Sequence, residues 1–223
     1  MPHTEALLFP LAMLALVAEA MTAALAAGRR KMDWLGVAML GCVTGLGGGS
    51  VRDVLLGHYP LWWVDHPWLL LLTAGAALMT IALARLVYRF HALFLVLDAI
   101  GLVVFTISGC DVALAMNQPL LIVVVAGMIT GCVGGVLRDI LCNDVPLLFR
   151  SELYASVSIV TGLITISGIK LGFSPDLVTL VAFAIGLTFR LLAIRLKLEM
   201  PKFVFDGPPA PSDDSDPPTK TPQ

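Results

Sequence analysis

Residues 41–61 read GCVTGLGGGSVRDVLLGHYPL, and residues 127–147 repeat the pattern as GMITGCVGGVLRDILCNDVPL. Aligned without gaps, both segments carry a Gly-Gly pair, an Arg-Asp pair that begins three positions later, and a final Pro-Leu. A weaker similarity lies upstream, where LVAEA around Glu19 resembles LVLDA around Asp98. The duplication predicts that the chain holds two copies of one structural unit.

The composition is that of a chain largely embedded in a membrane. Hydrophobic residues make up 58% and charged residues 13% of the 223 residues, whereas soluble proteins carry about 25% charged residues. A membrane-spanning helix needs about 20 mainly apolar residues. Seven segments are predicted to be such helices: 6–27, 34–49, 67–88, 92–110, 120–137, 153–171 and 177–196. Glu19 interrupts the first, which has no basic segment before it, so we expect a retained helix and not a signal peptide.

These segments predict an all-α membrane protein made of two inverted repeats and one added helix. Three helices form each repeat, and because three is odd, the second repeat enters the membrane from the opposite side. Such repeats place a functional site near the membrane midplane, although the duplication could also serve folding alone. The predicted units are a first repeat at 1–90, a second at 91–172, a seventh helix at 173–199 and a disordered cytoplasmic tail at 200–223.

Basic residues predict the sidedness, because cytoplasmic loops are enriched in Lys and Arg. With the N-terminus outside and the C-terminus inside, only Arg52 and Lys170 fall on the outer side. The remaining basic residues fall at the inner side: Arg29, Arg30, Lys31, Arg85, Arg89, Arg138, Arg150, Arg190, Arg195, Lys197, Lys202 and Lys220. The predicted location is a bacterial inner membrane.

The glycines allow two interpretations. Gly41, Gly45 and Gly49 recur every four residues, as do Gly127, Gly131 and Gly135, and such spacing favours close helix packing. Consecutive glycines exceed what packing needs, so we expect the second and fifth helices to be broken at Gly47, Gly48 and Gly49 and at Gly134 and Gly135. Val133 stands where the first copy has Gly47, which predicts a shallower second break. Freed carbonyl groups at a break could coordinate a cation.

Charged residues next to these glycines are the other candidates for a functional site. Arg52 and Arg138 follow the glycines by about one helical turn, and an arginine in a membrane is costly unless it is paired or hydrated. The candidate partners are Asp53, Asp139, Glu19 and Asp98, of which the last two are expected at equivalent places in the two repeats. These charges could form structural ion pairs, or could line or gate a pathway.

Other functional classes are disfavoured by the sequence. The net charge is −2 and no basic patch suggests nucleic-acid binding. The four cysteines lack metal-ligand spacing, and no P-loop or Ser–His–Asp pattern is present. We therefore expect no enzyme activity, no metal, no cofactor and no soluble protein partner.

The doubled GG-x-x-RD motif, on helices 2 and 5 of a seven-helix chain, resembles that of the bacterial branch of the trimeric intracellular cation (TRIC) channel family. The resemblance implies a homotrimer surrounded by membrane lipid, with one pore in each protomer between kinked helices 2 and 5. It also implies permeation of K⁺ and Na⁺, with the kinks at the glycine pairs named above and Arg52 and Arg138 near the path.

A second function remains open, because some chains with this duplicated domain are described as glycine transporters. In a carrier, an arginine would hold the carboxylate of a small zwitterion such as glycine, and an intramembrane Glu or Asp would hold its ammonium group. In a channel, the same carboxylates must offset the repulsion between the arginines and a permeant cation. The sequence favours the channel, because nothing in it indicates coupling to a driving ion.

Overall fold

The computed structural model describes residues 5–87, 91–150 and 153–196, and every regular element in these ranges is an α-helix. The helices are α1 (Glu5–Arg29), α2 (Trp34–Leu56), α3 (Trp62–Asp65), α4 (Trp68–Val87), α5 (His91–Ala115), α6 (Leu120–Leu141), α7 (Leu147–Arg150), α8 (Tyr154–Lys170) and α9 (Pro175–Leu196). The predicted tail, together with Arg89, Lys197, Lys202 and Lys220, lies outside the described residues.

Five helices are long and apolar enough to cross a membrane, namely α1, α2, α5, α6 and α9. Helices α4 and α8 are apolar but shorter in the part of the chain that the structure describes, and α8 has only 17 residues. The chain is thus an all-helical membrane protein, while length and composition identify five spans instead of the seven predicted. Large apolar side chains such as Leu71 and Leu121, which are 77% and 76% exposed, face outward where lipid would contact them.

No unwinding is present at the glycines, because α2 and α6 are both continuous helices, and a bend at the glycines stays a prediction. Helix α2 runs through the three consecutive glycines and continues to Leu56, beyond its predicted end at residue 49. Helix α6 likewise runs through its glycine pair to Leu141. The backbone hydrogen bonds of the helix are therefore kept, and the glycines must have another role.

That role is a close crossing of α2 and α6. A Cβ atom on Gly48 would overlap the carbonyl oxygen of Thr130, and a Cβ on Gly134 would overlap the carbonyl oxygen of Thr44. These contacts are reciprocal, because Thr44 and Gly48 occupy the same places in the first copy of the motif as Thr130 and Gly134 in the second. The two backbones therefore touch where any larger side chain would hold them apart.

Packing also explains the first two glycines of each series at four-residue spacing, as the packing interpretation predicted, whereas a Cβ on Gly49 or Gly135 would make only ordinary contacts. A Cβ on Gly41 would lie 2.6 Å from the Cβ of Ala77 in α4. A Cβ on Gly131 would lie 2.7 Å from the carbonyl oxygen of Leu102 in α5. Each repeated helix thus uses glycine both toward its partner copy and toward a neighbour.

The ends of α2 and α6 are built alike. Each is followed by a residue in the left-handed region, Gly57 with φ 68° and Asn143 with φ 53°, and these are residue types that tolerate this conformation. Each is then followed by a Pro-Leu pair and a four-residue helix, α3 or α7. The repeated sequence therefore produces repeated local structure.

We call the two ends of the bundle outer and inner, following the predicted sidedness. Helices α1 and α6 both end at the inner end, where Arg30 forms an ion pair with Asp144 and so joins the loop after α1 to the loop after α6. Helices α2 and α5 end at the outer end, as does α8. The two Arg-Asp motifs consequently lie near opposite ends of the bundle.

Candidate functional site

The first Arg-Asp motif forms a compact ion pair near the outer end of α2. Nε and Nη2 of Arg52 lie 2.9 Å and 2.7 Å from Oδ1 of Asp53. Nδ1 of His58 lies 3.1 Å from the same oxygen. Arg52 is 6% exposed and Asp53 1% exposed, yet both line a cavity. The adjacent carboxylate therefore neutralises the charge of the arginine where the pair faces that cavity.

The cavity has a volume of about 910 Å³ and lies among the outer halves of α1, α2 and α5 and the α2–α4 connection. It reaches inward to Gly45 and Thr130, close to the crossing of α2 and α6. Asp65 and Asp111 add two further carboxylates to its wall. Its acidic side chains outnumber Arg52, its one arginine, so a cation is attracted to the wall overall.

The second Arg-Asp motif forms a larger cluster, near the inner end. Nη1 of Arg138 lies 2.9 Å from Oδ1 of Asp98, 3.0 Å from Oγ of Thr22 and 3.8 Å from Oε2 of Glu19. Nε of Arg138 donates to Oδ1 of Asp139 at 2.9 Å. Arg138 and Asp98 are both fully buried. One guanidinium thus holds together side chains from α1, α5 and α6.

An aromatic ring covers Arg138 on the inner side. The guanidinium of Arg138 lies 4.8 Å from the centre of the Phe94 ring, and that of Arg29, at the exposed end of α1, lies 5.4 Å from it. Phe94 is itself 7% exposed. Among the described residues, Arg138 and Phe94 thus pack together in the inner half, whereas the cavity lies in the outer half.

Glu19 and Asp98 are not at equivalent places, contrary to the expectation from LVAEA and LVLDA. Asp98 lies about two turns from the start of α5, whereas Glu19 lies about four turns from the start of α1. Two residues related by an inverted repeat would lie equally far from the starts of their helices, at mirrored depths on either side of the membrane midplane. Both instead approach Arg138 at the inner end, because α1 and α5 run in opposite directions.

This placement makes the two motifs unequal. Arg138 is within ion-pair distance of three carboxylates, and Arg52 only of Asp53 among the described residues. The two aspartates also differ, because Oδ2 of Asp139 accepts a hydrogen bond from the amide of Leu147 at 2.9 Å, while Asp53 contacts His58. One copy of the motif is sealed and the other faces a cavity.

Sequence reasoning missed several residues of these sites. Arg190 was assigned to the basic inner surface, but it is fully buried and lies 4.6 Å from the centre of the Tyr154 ring. The sequence did indicate that Arg190 is unusual, because this charged residue interrupts an apolar helix more than one turn before the end of the helix. Thr22 could also have been identified, because it lies one turn after Glu19 and therefore on the same helix face. Nothing local in the sequence marks Phe94.

Metal binding has no support in the described ranges, where no three His, Cys, Asp or Glu residues gather in a way that could hold an ion. The cysteines are free thiols, half-buried at Cys42 and buried at Cys110, Cys132 and Cys142. Burial raises the pKa of the Cys142 thiol, which lies just beyond the end of α6. These thiols are packing residues, in keeping with their apolar surroundings.

The chain is similar to known membrane proteins over most of its length. A family model described as glycine transporter matches residues 10–85 and again residues 95–170. The Escherichia coli inner membrane protein YadS is 37% identical over 189 residues, which are 84% of this chain and 91% of that protein.

Solved structures show the same relationship. The trimeric intracellular cation channel orthologue from Rhodobacter sphaeroides superposes with a TM-score of 0.82 at 31% identity, over 86% of this chain and 98% of its own. Another TRIC cation channel superposes with a TM-score of 0.83 at 34% identity, over 90% of this chain and 98% of its own. The similar proteins are membrane proteins and channels, so the expectation of no enzyme activity is confirmed. This chain therefore belongs to the bacterial TRIC family of membrane channels, and its repeated unit is the one that the glycine transporter model describes.

Proposed function

We propose that this protein is a channel for monovalent cations such as K⁺ and Na⁺, acting as a homotrimer with one pathway in each protomer. The observation that carries the proposal is the outer cavity, which extends between α1, α2 and α5 to the crossing of α2 and α6. It opens the interior of the bundle toward the outer end and lines the opening with carboxylates, as a cation pathway requires.

Arg52 lies in the proposed path and would repel a cation, but the carboxylates of the cavity offset this repulsion. Asp53 binds two nitrogens of Arg52, so this pair presents little net charge. Asp65 and Asp111 then leave the wall with a surplus of negative charge. A cation entering the cavity is attracted by these carboxylates, and it leaves readily because no closed cage of ligands surrounds it.

The inner half supplies the gate in this proposal. Arg138 and Phe94 are buried against each other on the inner side of the cavity, and in this proposal they block the pathway and must move for conduction. A charged residue that crosses the membrane field gains or loses about 2.3 kcal/mol per charge per 100 mV. The stimulus that displaces Arg138 in this proposal is membrane voltage.

The assembly and the ions follow from similarity. The Rhodobacter sphaeroides orthologue is a trimeric cation channel that aligns with most of this chain, which supports a trimer and cation permeation here. YadS is an inner membrane protein, which supports an inner-membrane location for this chain. The orientation that we propose, with the N-terminus outside and the C-terminus inside, rests on the placement of the basic residues.

A carrier for a small zwitterion such as glycine is the second candidate, and one observation favours it. The cavity is open toward the outer end and closed toward the inner end, as expected of a carrier that faces outward in an alternating-access cycle. In this candidate, Arg52 must exchange Asp53 for the substrate carboxylate. Substituting Arg52 by Ala should therefore abolish uptake by a carrier, but leave or raise the conductance of a channel.

The deciding experiment records single-channel currents from the purified protein in planar bilayers under a KCl gradient, with glycine added afterwards. Discrete openings that reverse near the K⁺ equilibrium potential support the channel. Silence at all voltages, together with uptake of labelled glycine into liposomes, contradicts the channel and supports the carrier. Arg52→Ala measured in both assays serves as the discriminating variant.

A further inference from the structure

The loops that follow α1 and α6 are joined at the inner end of the bundle. Nη2 of Arg30, directly after α1, forms an ion pair with Oδ1 of Asp144 and donates to the carbonyl oxygen of Asn143 at 3.3 Å. The two charged side chains are 41% and 42% exposed, so water and dissolved ions reach them. An arginine of the first repeat and an aspartate of the second therefore connect the two halves at this end.

The connection lies next to packed groups that lead to the interior. Cys142, the first residue after α6, is 2% exposed and packs in one apolar cluster with the alanines at the end of α1, against which Met32 also packs. Arg29, in the last turn of α1, lies over the ring of Phe94, and this ring also covers Arg138. Separation of the two loops would therefore expose Cys142 to water and uncover one face of the Phe94 ring.

The outer end of the bundle lacks such a connection. The gapless alignment of the two copies extends to the loops after α1 and α5, because Lys31 and Asn117 both have left-handed backbones, with φ 56° and 55°. This alignment places Met116 and His58 where the inner end has the ion pair. A thioether carries no charge, and the ring of His58 instead contacts Asp53. The end that opens into the cavity thus lacks the ion pair, and the end with the buried arginine cluster has it.

We propose that the ion pair of Arg30 and Asp144 is a salt-sensitive latch, which holds the inner ends of α1 and α6 together and keeps the inner side of the proposed pathway closed. An exposed ion pair contributes little to the stability of a protein, so it can open without unfolding the bundle. Its typical strength corresponds to a change of about two- to fivefold in the ratio of open to closed forms. Dissolved salt screens exposed charges, so high ionic strength favours the open latch.

The latch acts on the proposed gate through α1. Thr22 and Glu19 belong to α1, and they lie 3.0 Å and 3.8 Å from Nη1 of Arg138 in α6. Movement of the inner end of α1 away from α6 lengthens these contacts and withdraws Arg29 from the Phe94 ring. Arg138 is then held less firmly, and membrane voltage displaces it more readily. This consequence for conduction rests on the proposed channel function.

The native thiol of Cys142 provides a test that does not depend on currents. The purified full chain is placed in lipid nanodiscs with the half-buried thiol removed by Cys42→Ala, and the rate of labelling by a water-soluble maleimide is followed at the site that is lost in Cys142→Ser. Labelling should be slow in this background because the thiol is buried. Arg30→Gln and Asp144→Asn should each raise the rate by about two- to fivefold. A rate unchanged in both variants overturns the proposal.

The two variants also separate exposure of the thiol from a change in its ionisation. Thiols react as thiolates; burial raises the pKa of the Cys142 thiol, while Arg138 and Arg30 lower it and Asp144 raises it. Through charge alone, Arg30→Gln would slow the labelling and Asp144→Asn would accelerate it. Acceleration by both variants therefore supports the latch, whereas slower labelling of Arg30→Gln contradicts it.

Two further variants and a salt series test the ion pair itself. The double variant Arg30→Asp/Asp144→Arg restores the pair with reversed charges and should label more slowly than either single variant. Lys31→Gln is the control, because Lys31 is an exposed cation without an ion pair in the described ranges, and it should leave the rate unchanged. Concentrated KCl should accelerate labelling of the wild-type pair but not of Arg30→Gln. A double variant as fast as the single ones, or an equal effect of Lys31→Gln, overturns the latch.

Single-channel recordings connect the latch to conduction. At a fixed voltage, Arg30→Gln and Asp144→Asn should each raise the open probability by about two- to fivefold. Faster labelling in a protein that passes no current would support the latch and contradict the channel function. Currents with the same open probability in the wild type and in both variants would support the channel function and contradict the latch. The failure of one proposal is therefore distinguishable from the failure of the other.

Discussion

Asp98 of α5 lies 2.9 Å from Nη1 of Arg138 in α6, inside a cluster that is sealed from both ends of the bundle. At the outer end, Arg52 contacts the carboxylate of its own neighbour Asp53 and faces a cavity. The two copies of the motif therefore have different surroundings, a buried cluster of carboxylates at Arg138 and a cavity at Arg52. The same substitution should consequently have different effects in the two copies.

Substituting each arginine by glutamine should show this difference in stability. Arg138→Gln leaves three buried carboxylates without their cation and should lower the free energy of unfolding by about 3–5 kcal/mol. Arg52→Gln leaves a single buried carboxylate, which keeps its contact with His58, and should cost less, about 1–3 kcal/mol. Thermal unfolding of both variants in the same detergent measures the contrast, and equal losses would argue against a sealed inner cluster.

The crossing of α2 and α6 predicts the effect of adding one methyl group. Gly48→Ala and Gly134→Ala should each destabilise by about 1–3 kcal/mol, because the new Cβ overlaps a backbone carbonyl of the opposing helix. Gly75→Ala is the control, since a Cβ there meets nothing within 4 Å. It should stabilise α4 by up to about 1 kcal/mol through helix propensity. Tolerance of alanine at both crossing positions would contradict the close contact.

Charge in the outer cavity should control cation entry. Asp111→Asn should lower the single-channel conductance at low salt by roughly two- to threefold, since a unit charge several ångströms away contributes up to about 1 kcal/mol in water. The reduction should shrink in concentrated KCl, where screening shortens the range of the charge. Asp176→Asn is the control, because Asp176 is exposed at the outer end but does not line the cavity. If both variants lowered the conductance equally, the cause would be the general surface charge of the protein and not the charge in the cavity.

Thiol labelling can test the sidedness and the opening of the cavity together. Ser108→Cys, in the cavity wall, should react with a membrane-impermeant reagent added from outside. Val145→Cys, 62% exposed between α6 and α7, should react only with reagent added from inside. A Cys42→Ala background removes the native thiol that is only half-buried. The reverse pattern would invert the predicted topology.

Much of the fold was predictable because its determinants are local. The apolar segments of the sequence predicted most helix ends to within a few residues, and the doubled motif predicted the repeated unit. The main error concerned α2, which was expected to end or unwind at its glycines. Glycine spacing alone does not distinguish a broken helix from one pressed against another backbone, since the difference is the carbonyl of Thr130 from a distant helix.

The amino-acid sequence alone identifies a duplicated helical membrane protein with an Arg-Asp pair in each copy, because hydropathy, helix length and repeated residues are properties of neighbouring positions. The three-dimensional packing was needed to show that Glu19 and Asp98 both approach Arg138, while Arg52 and Asp53 face a cavity. That outcome depends on where antiparallel helices bring distant residues to the same depth. Electrostatic pairing acts over a few ångströms of space, and separation along the chain does not reveal that distance.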